Sequence, residues 1–459
     1  MSASDAMKRL SGHDRLRLRR LSGLSICLVI VLALAACNSG GKSASAGSFA
    51  GKTLTVAMGP PDSPSEKKFN DELAAAFKQQ TGATIKYDYN ITDTQTELQT
   101  IDAAAVSNSG PDLMKIGDTI SAAAYKSGAF QTLDDSDWAK LGGKKAFYPV
   151  TMANSGPDAS HTITVPIYVD PTMMVYNTKL FAKAHITHPP TTWTEYVEDA
   201  QKINDPQHKV YGTDWFPDDT QVYKAMWYFG EDYGGSVFSP DLKKATINTQ
   251  AWLDAVKFWF SLDTKYHVVP PDSDTNTQAK FASDFANGNI GEEVAATASY
   301  EGTYEAGKIG KDFRFAPLPT TPYGKVPSSS DALPTSMDLY EGYIIASYAS
   351  KPLALEFLKL SDSPKFQKLQ FQLEGYMPAT VADGNVVKKL DPDLMTPQIA
   401  AELGAKGVPY TPAWSTFQTA IGTVTIDAGA YLTKHGSVPD SMFQQLLNSA
   451  NTTVQGQLK

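Results

Sequence analysis

Apolar positions along this chain switch between a period of two and a period of about three and a half, and the switching predicts an α/β fold. Lys52-Thr53-Leu54-Thr55-Val56-Ala57-Met58 alternates as a strand does. Ser63-Pro64-Ser65-Glu66 then reads as a helix start, with an N-cap, a proline in the first turn and a capping-box glutamate. Phe69, Leu73, Ala76 and Phe77 follow at helical spacing, and Gly82 stops the helix. Thr84-Ile85-Lys86-Tyr87-Asp88-Tyr89 is a second strand, so the first three elements form a right-handed parallel crossover. The order recurs as a helix over 94–106, a strand over 112–116 and a helix near Ser121.

Further along, Thr192-Trp193-Thr194-Glu195 is another capping box, before Tyr196, Val197, Ala200 and Ile203 on one face. Thr249 is placed to cap a helix whose Trp252, Val256, Trp259 and Phe260 make a single stripe, which assigns both tryptophans to a core. Trp227, on an apolar helix with Phe229, reads the same way. Pro352 and Ser363-Pro364 open two more helices, and the chain shows no internal repeat.

The N-terminal segment obeys a different pattern. Arg15, Arg17, Arg19 and Arg20 precede an apolar run over 24–36, too short for a comfortable bilayer span of about 20 residues. Leu34-Ala35-Ala36-Cys37 follows, then Asn38-Ser39-Gly40-Gly41. Small residues before a cysteine suit a signal peptidase, and the thiol can accept a lipid. The stretch resembles a bacterial lipoprotein signal, with residues 1–36 removed, Cys37 acylated and 37–51 a flexible Ser/Gly/Ala tether.

Cleavage there leaves 423 residues, enough for two domains, with 34 Lys/Arg against 47 Asp/Glu and a net charge of −13. That acidity argues against nucleic acid or anionic lipid as a partner. The two cysteines, Cys27 and Cys37, both fall in the signal region, so the mature fold has no disulfide or thiol chemistry.

Several blocks together resemble one family. They are 69–82 ending in Thr81-Gly82; Gly110-Pro111-Asp112-Leu113-Met114 with Tyr125 to Phe130; Val165-Pro166-Ile167 through Val175-Tyr176-Asn177 to Phe181; Pro189-Pro190-Thr191-Thr192-Trp193; Phe315-Ala316-Pro317-Leu318-Pro319; and Gly375-Tyr376-Met377-Pro378-Ala379. Their order and spacing resemble the extracellular solute-binding proteins of family 1, the maltose-binding-like receptors of carbohydrate ABC importers. The resemblance implies a two-lobed periplasmic-binding-protein fold (type II) with a hinge of crossover strands. It implies an N-terminal lobe of 52–168 plus 337–385, a C-terminal lobe of 169–336 plus 386–459, and crossings near 168–171, 333–337 and 380–390. A monomer without cofactor would close on a solute and present it to permease subunits while lipid-anchored outside the cytoplasmic membrane.

Sugars offer polar edges and apolar C–H faces, so a cleft mixes carboxylates with aromatic rings. Carried over by position, the resemblance points to Asp118, Asp170, Trp215, Tyr300, Gly342 and Trp414. Asp118 competes with a helix-capping role and Asp170, before Pro171, with a turn. Tyr300 stands where the family usually has tryptophan, and Gly342 would let backbone approach the ligand.

Other chemistry is poorly served. His185 and His188 lack a third metal ligand, and the loop starting at Asp272 has Thr277 and Ser283 where calcium geometry needs glycine and glutamate. Adjacent Glu292 and Glu293 would face opposite sides of a strand. The reading is therefore a receptor for a mono- or oligosaccharide, with no metal site. A glycerol phosphodiester or polyamine receptor is the alternative, and a secreted glycoside-processing enzyme the rival from another class. Arg314, the only arginine after Cys37, is thin provision for a phosphate.

Overall fold

The computed structural model describes residues 48–61, 63–215, 222–326 and 336–458. The signal segment, Cys37, residues 37–47 of the expected tether and residues 333–335 of the second expected crossing lie outside them. Strand β1 (Thr53–Ala57) lies parallel to both β2 (Thr84–Asp88) and β3 (Leu113–Gly117), as the crossover pattern requires. The helix between β1 and β2, Pro64–Thr81, starts where the sequence says: the Ser63 hydroxyl accepts from Glu66 N at 3.0 Å. It ends on Gly82 at φ 78°, a left-handed conformation that costs glycine little, with the Gly82 N–H donating to the Lys78 carbonyl.

The remaining strands are β4 (Val165–Val169), β5 (Met173–Asn177), β6 (Tyr211–Thr213), β7 (Ile290–Ala296), β8 (Phe313–Ala316), β9 (Ser336–Met337), β10 (Tyr340–Ile345), β11 (Met377–Pro378) and β12 (Ala405–Lys406). Among the described residues they form a six-stranded sheet, β11-β4-β10-β3-β1-β2, a four-stranded sheet, β6-β7-β5-β8, and the pair β12-β9. Each larger sheet is the centre of one lobe. The chain leaves the first for the second between β4 and β5, and returns between β8 and β10. It leaves again after β11 for the helix Pro392–Leu403, which packs on β8.

Burial differs between the lobes. Helices Trp193–Ile203, Tyr223–Asp232, Gln250–Thr264, Ala413–His435 and Asp440–Gly456 enclose an aromatic core around the four-stranded sheet. Trp252, Val256, Trp259 and Phe260 are buried in it as their spacing predicts, and so is Trp227. Thr249 precedes its helix but makes no side-chain capping bond. Glu292 and Glu293 on β7 do point opposite ways. Glu292 lies toward Asp199 and Lys202, and Glu293 toward Asp214 and Asp284. Both are fully buried, and desolvation lifts both carboxyls well above their ordinary range.

Candidate ligand-binding cleft

Because β1, β2 and β3 run parallel, the loops leaving their carboxyl ends share one edge of the sheet, where ligands of open α/β sheets collect. Gly59 and Pro60 follow β1, Ile91 to Thr94 follow β2, and Gly117 ends β3; together they line a cavity of about 330 Å³. Asp93 shapes this floor by capping the helix Thr94–Ser107, accepting from Thr96 N at 2.7 Å.

One side of the cavity is charged. Lys115 Nζ lies 2.5 Å from Glu341 Oε2 and 4.0 Å from Glu66 Oε1. The Tyr168 hydroxyl donates to the same Glu341 oxygen at 2.5 Å, and the Tyr168 ring stacks on Tyr376 with centroids 4.0 Å apart. Burial works against the Lys115 charge, but Glu341 and Glu66 outweigh it and hold the ammonium above the usual lysine pKa. The Glu341 side chain is 41% exposed toward the cleft, so solvent screens this pair. Glu97 accepts from Gly117 N at 3.3 Å. Burial, followed by the nearby Glu341 charge, pushes its pKa up to about 8.

Through Thr92, Asp93 and Thr94 this cavity joins a larger one of about 920 Å³ between the lobes. Its far wall is the helix Ala413–His435, presenting Ser415, Gln418, Thr419, Thr423 and Asp427, with Ser449 and Thr453 from the last helix. Hydroxyl and amide groups both donate and accept, so this wall suits a solute covered in hydroxyls.

The expected site residues divide into two sets. Asp118 and Asp170 face the same Lys224 near the crossing, and Tyr300 follows the turn that holds Asp170, though none of the three lines either cavity. Asp118 opens the helix Asp118–Ser127 and is buried; desolvation and then Asp338 raise its carboxyl well above the ordinary range, and Oδ2 has no hydrogen-bond partner among the described residues. Asp170 leaves β4; burial lifts it to about 6, against Lys224, Thr297 and Ser299. Tyr300 is half-buried in that same turn after β7, edge-on to Tyr304 at 6.0 Å. Lys224, from the second lobe, faces Asp170, Asp118 and Glu341; burial lowers its pKa and the three carboxyls oppose the shift.

Trp215, Trp414 and Gly342 need correction. Trp215 is fully buried, its ring 5.6 Å from Trp259 and 5.0 Å from Phe260, both T-shaped. Trp414 is fully buried too, 5.0 Å from Phe417 and T-shaped to Tyr223, beneath the wall that Ser415 and Gln418 present. Each ring is worth more to the apolar core than to a wet surface. Gly342 faces β4, where a Cβ would meet the Val165 carbonyl oxygen at 2.5 Å. The backbone approaching it is the neighbouring strand's, at the β10–β4 irregularity. Gly342→Ala is expected to cost about 1–3 kcal/mol of stability by overpacking; denaturant unfolding with an unchanged midpoint would refute that.

Sequence reasoning missed Lys115, Lys224, Glu97 and Tyr376 as site residues. Lys224 carried a usable signal, a single lysine on a helix where nearly every neighbour is apolar and buried. The other three look like ordinary strand, helix and turn residues.

Comparison with known proteins agrees with this fold. A family model described as bacterial extracellular solute-binding protein matches residues 61–368. The diacetylchitobiose binding protein DasA of Streptomyces coelicolor is 25% identical over 369 residues, 76% of this chain and 79% of that protein. An ABC-transporter solute-binding protein from Thermotoga lettingae with bound α-D-tagatose superposes with a TM-score of 0.73 at 20% identity, covering 89% of this chain and all of the other. UgpB of Mycobacterium tuberculosis, in complex with glycerophosphocholine, gives a TM-score of 0.69 at 16% identity, covering 89% of this chain and 99% of the other. These structures share the two-lobed fold.

Proposed function

Because this chain belongs to the bacterial extracellular solute-binding proteins, binding proteins rather than enzymes, we propose that it captures a neutral mono- or oligosaccharide between its lobes for an ABC importer. One observation carries the choice of ligand: the interlobe cavity mixes hydroxyls, amides and carboxyls with apolar side chains such as Leu98, Val424 and Leu446, as the polar edges and C–H faces of a sugar need, with the stacked Tyr168–Tyr376 pair beside the adjoining cavity. A phosphodiester is bound most strongly where a cation is free to pair with it. Lys115 is held by Glu341 and Glu66, Lys224 faces three carboxyls, and Arg314 pairs with Asp393 at 3.2 Å. The diacetylchitobiose-binding relative and the tagatose-bound structure support the same reading. Asp118, Asp170 and Tyr300 would supply polar contacts near the crossing, and the two lobes would divide at the boundaries expected from the blocks. Cys37 would anchor the chain by lipid, keeping the receptor at high effective concentration near its permease.

A panel of neutral saccharides, glycerol phosphodiesters and polyamines, read by thermal shift and calorimetry, tests this. A saccharide is expected to raise Tm and bind one to one without product. Tyr376→Ala is expected to weaken that binding about tenfold, the loss of one stacking contact. A Tm rise confined to a phosphodiester or polyamine, or sustained turnover of an oligosaccharide, would remove the reading.

A further inference from the structure

Outside the cleft, at the edge strand of the first sheet, lies a second cavity of about 680 Å³ bounded by Pro61, Ser63, Lys67, Asp71, Tyr87 and Tyr89. The Tyr87 and Tyr89 rings stack nearly parallel, 5.7 Å apart at 16°. Tyr87 is anchored: half-buried, it donates its hydroxyl to the Asn70 carbonyl at 3.1 Å. Tyr89 is not drawn inward. At 38% exposure it is the one exposed aromatic side chain among the described residues, whereas all seven tryptophans are buried. Beside the rings, Lys67 and Asp71 pair at 2.7 Å on the helix Pro64–Thr81.

This groove continues the cleft on both walls. Pro60 lines the cleft cavity and Pro61 the groove; Ile91 and Thr92 line the cleft cavity and Tyr89 the groove. The two segments run side by side, with Met58 N donating to the Asp88 carbonyl at 3.0 Å and Ile91 N to that of Met58 at 3.4 Å. The groove is therefore one of the two sides on which the cleft cavity continues, the other being the interlobe cavity.

An exposed ring surface beside hydroxyls and an ion pair matches a sugar unit, which has an apolar C–H face and a polar rim. We infer that Tyr89, backed by Tyr87, is an outer subsite for the overhanging units of a linear oligosaccharide whose inner end sits in the cleft. The inference rests on the saccharide reading above and extends it by ligand length. Monosaccharides use the cleft alone, and longer chains gain the outer contact.

The test is calorimetry of the wild-type protein and of Tyr89→Ala and Tyr89→Phe against two length series, α-1,4-linked glucose and β-1,4-linked N-acetylglucosamine, one to six units each. In the series that binds, wild-type affinity is expected to rise about tenfold or more from the shortest ligand bound to the longest. Tyr89→Ala should abolish that increment and leave the shortest ligand's affinity unchanged, while Tyr89→Phe keeps it. An equal loss at every length, or no loss at any, overturns the outer subsite. If monosaccharides bind and oligomers are refused, the outer subsite is wrong and the saccharide reading stands. If neither series binds while a phosphodiester or polyamine does, both fall. Tm of the unliganded variants separates a binding loss from unfolding, with a small drop expected for Tyr89→Ala, which gives up the stack on Tyr87, and the stack kept in Tyr89→Phe.

Discussion

Trp414→Ala is expected to lower the stability of the unliganded protein by about 3–5 kcal/mol, the usual cost of removing a buried aromatic ring and leaving its cavity. The position decides this. Trp414 has no exposed surface, and its ring is packed against Phe417 and Tyr223, with Trp252 a further ring beyond Phe417. The helix it opens, Ala413–His435, also reaches across to the helix Asp118–Ser127 of the first lobe. Truncation should therefore unfold the second lobe before it reports on affinity. Trp215→Ala should behave alike, since that ring sits between Trp259 and Phe260. The measurement is denaturant unfolding without ligand, beside calorimetry of whatever remains folded. A variant with wild-type stability and lost affinity would return either ring to the cleft surface.

Lowering the pH from 8 to 5 is expected to stabilise the protein, raising Tm by roughly 5 °C or more, since each kcal/mol moves Tm by a few degrees. Many buried carboxyls contribute, Asp118, Glu292 and Glu293 among them, and four more show how the balance runs. Desolvation pushes Glu97 and Asp232 up to about 8, and Asp214 and Asp338 up to about 7. In the unfolded chain such groups titrate near 4. Between about pH 4 and their folded values the native state therefore holds protons that the unfolded chain has released. That contribution is complete below pH 4 and is lost as pH rises through 7 to 8. Asp338 is the informative member, because the Thr151 hydroxyl lies 3.4 Å from it and donates at 3.0 Å to buried Glu402. Asp338→Asn should flatten part of the profile. A Tm that is constant or rises from pH 5 to pH 8 would contradict the assignment.

Much of the fold could be read along the chain. The Ser63 and Thr192 caps, the Gly82 stop and the stripe from Trp252 to Phe260 all stand in the structure as their spacing indicates. Family membership was legible too, because it rests on blocks whose order survives divergence. The site was legible only in part. All six expected site residues were carried over by position in those blocks, and position alone did not tell a cleft ring from a core ring, since Trp215 and Trp414 are buried. A tryptophan in a polar loop has two sides on which its ring can fall, and the sequence around it is the same for both.

Local order and the family were settled by the chain's own pattern, because caps, periodicity and turns depend on neighbours within a few residues. The meeting of Asp118, Asp170, Lys224 and Glu341 was not, since these belong to a helix start, a crossing, a second-lobe helix and a return strand. Packing of the two sheets brings them together, and it also buries every tryptophan and leaves tyrosines at the cleft and its rim. Burial is a property of which faces meet, and that depends on the whole fold rather than on any stretch of it.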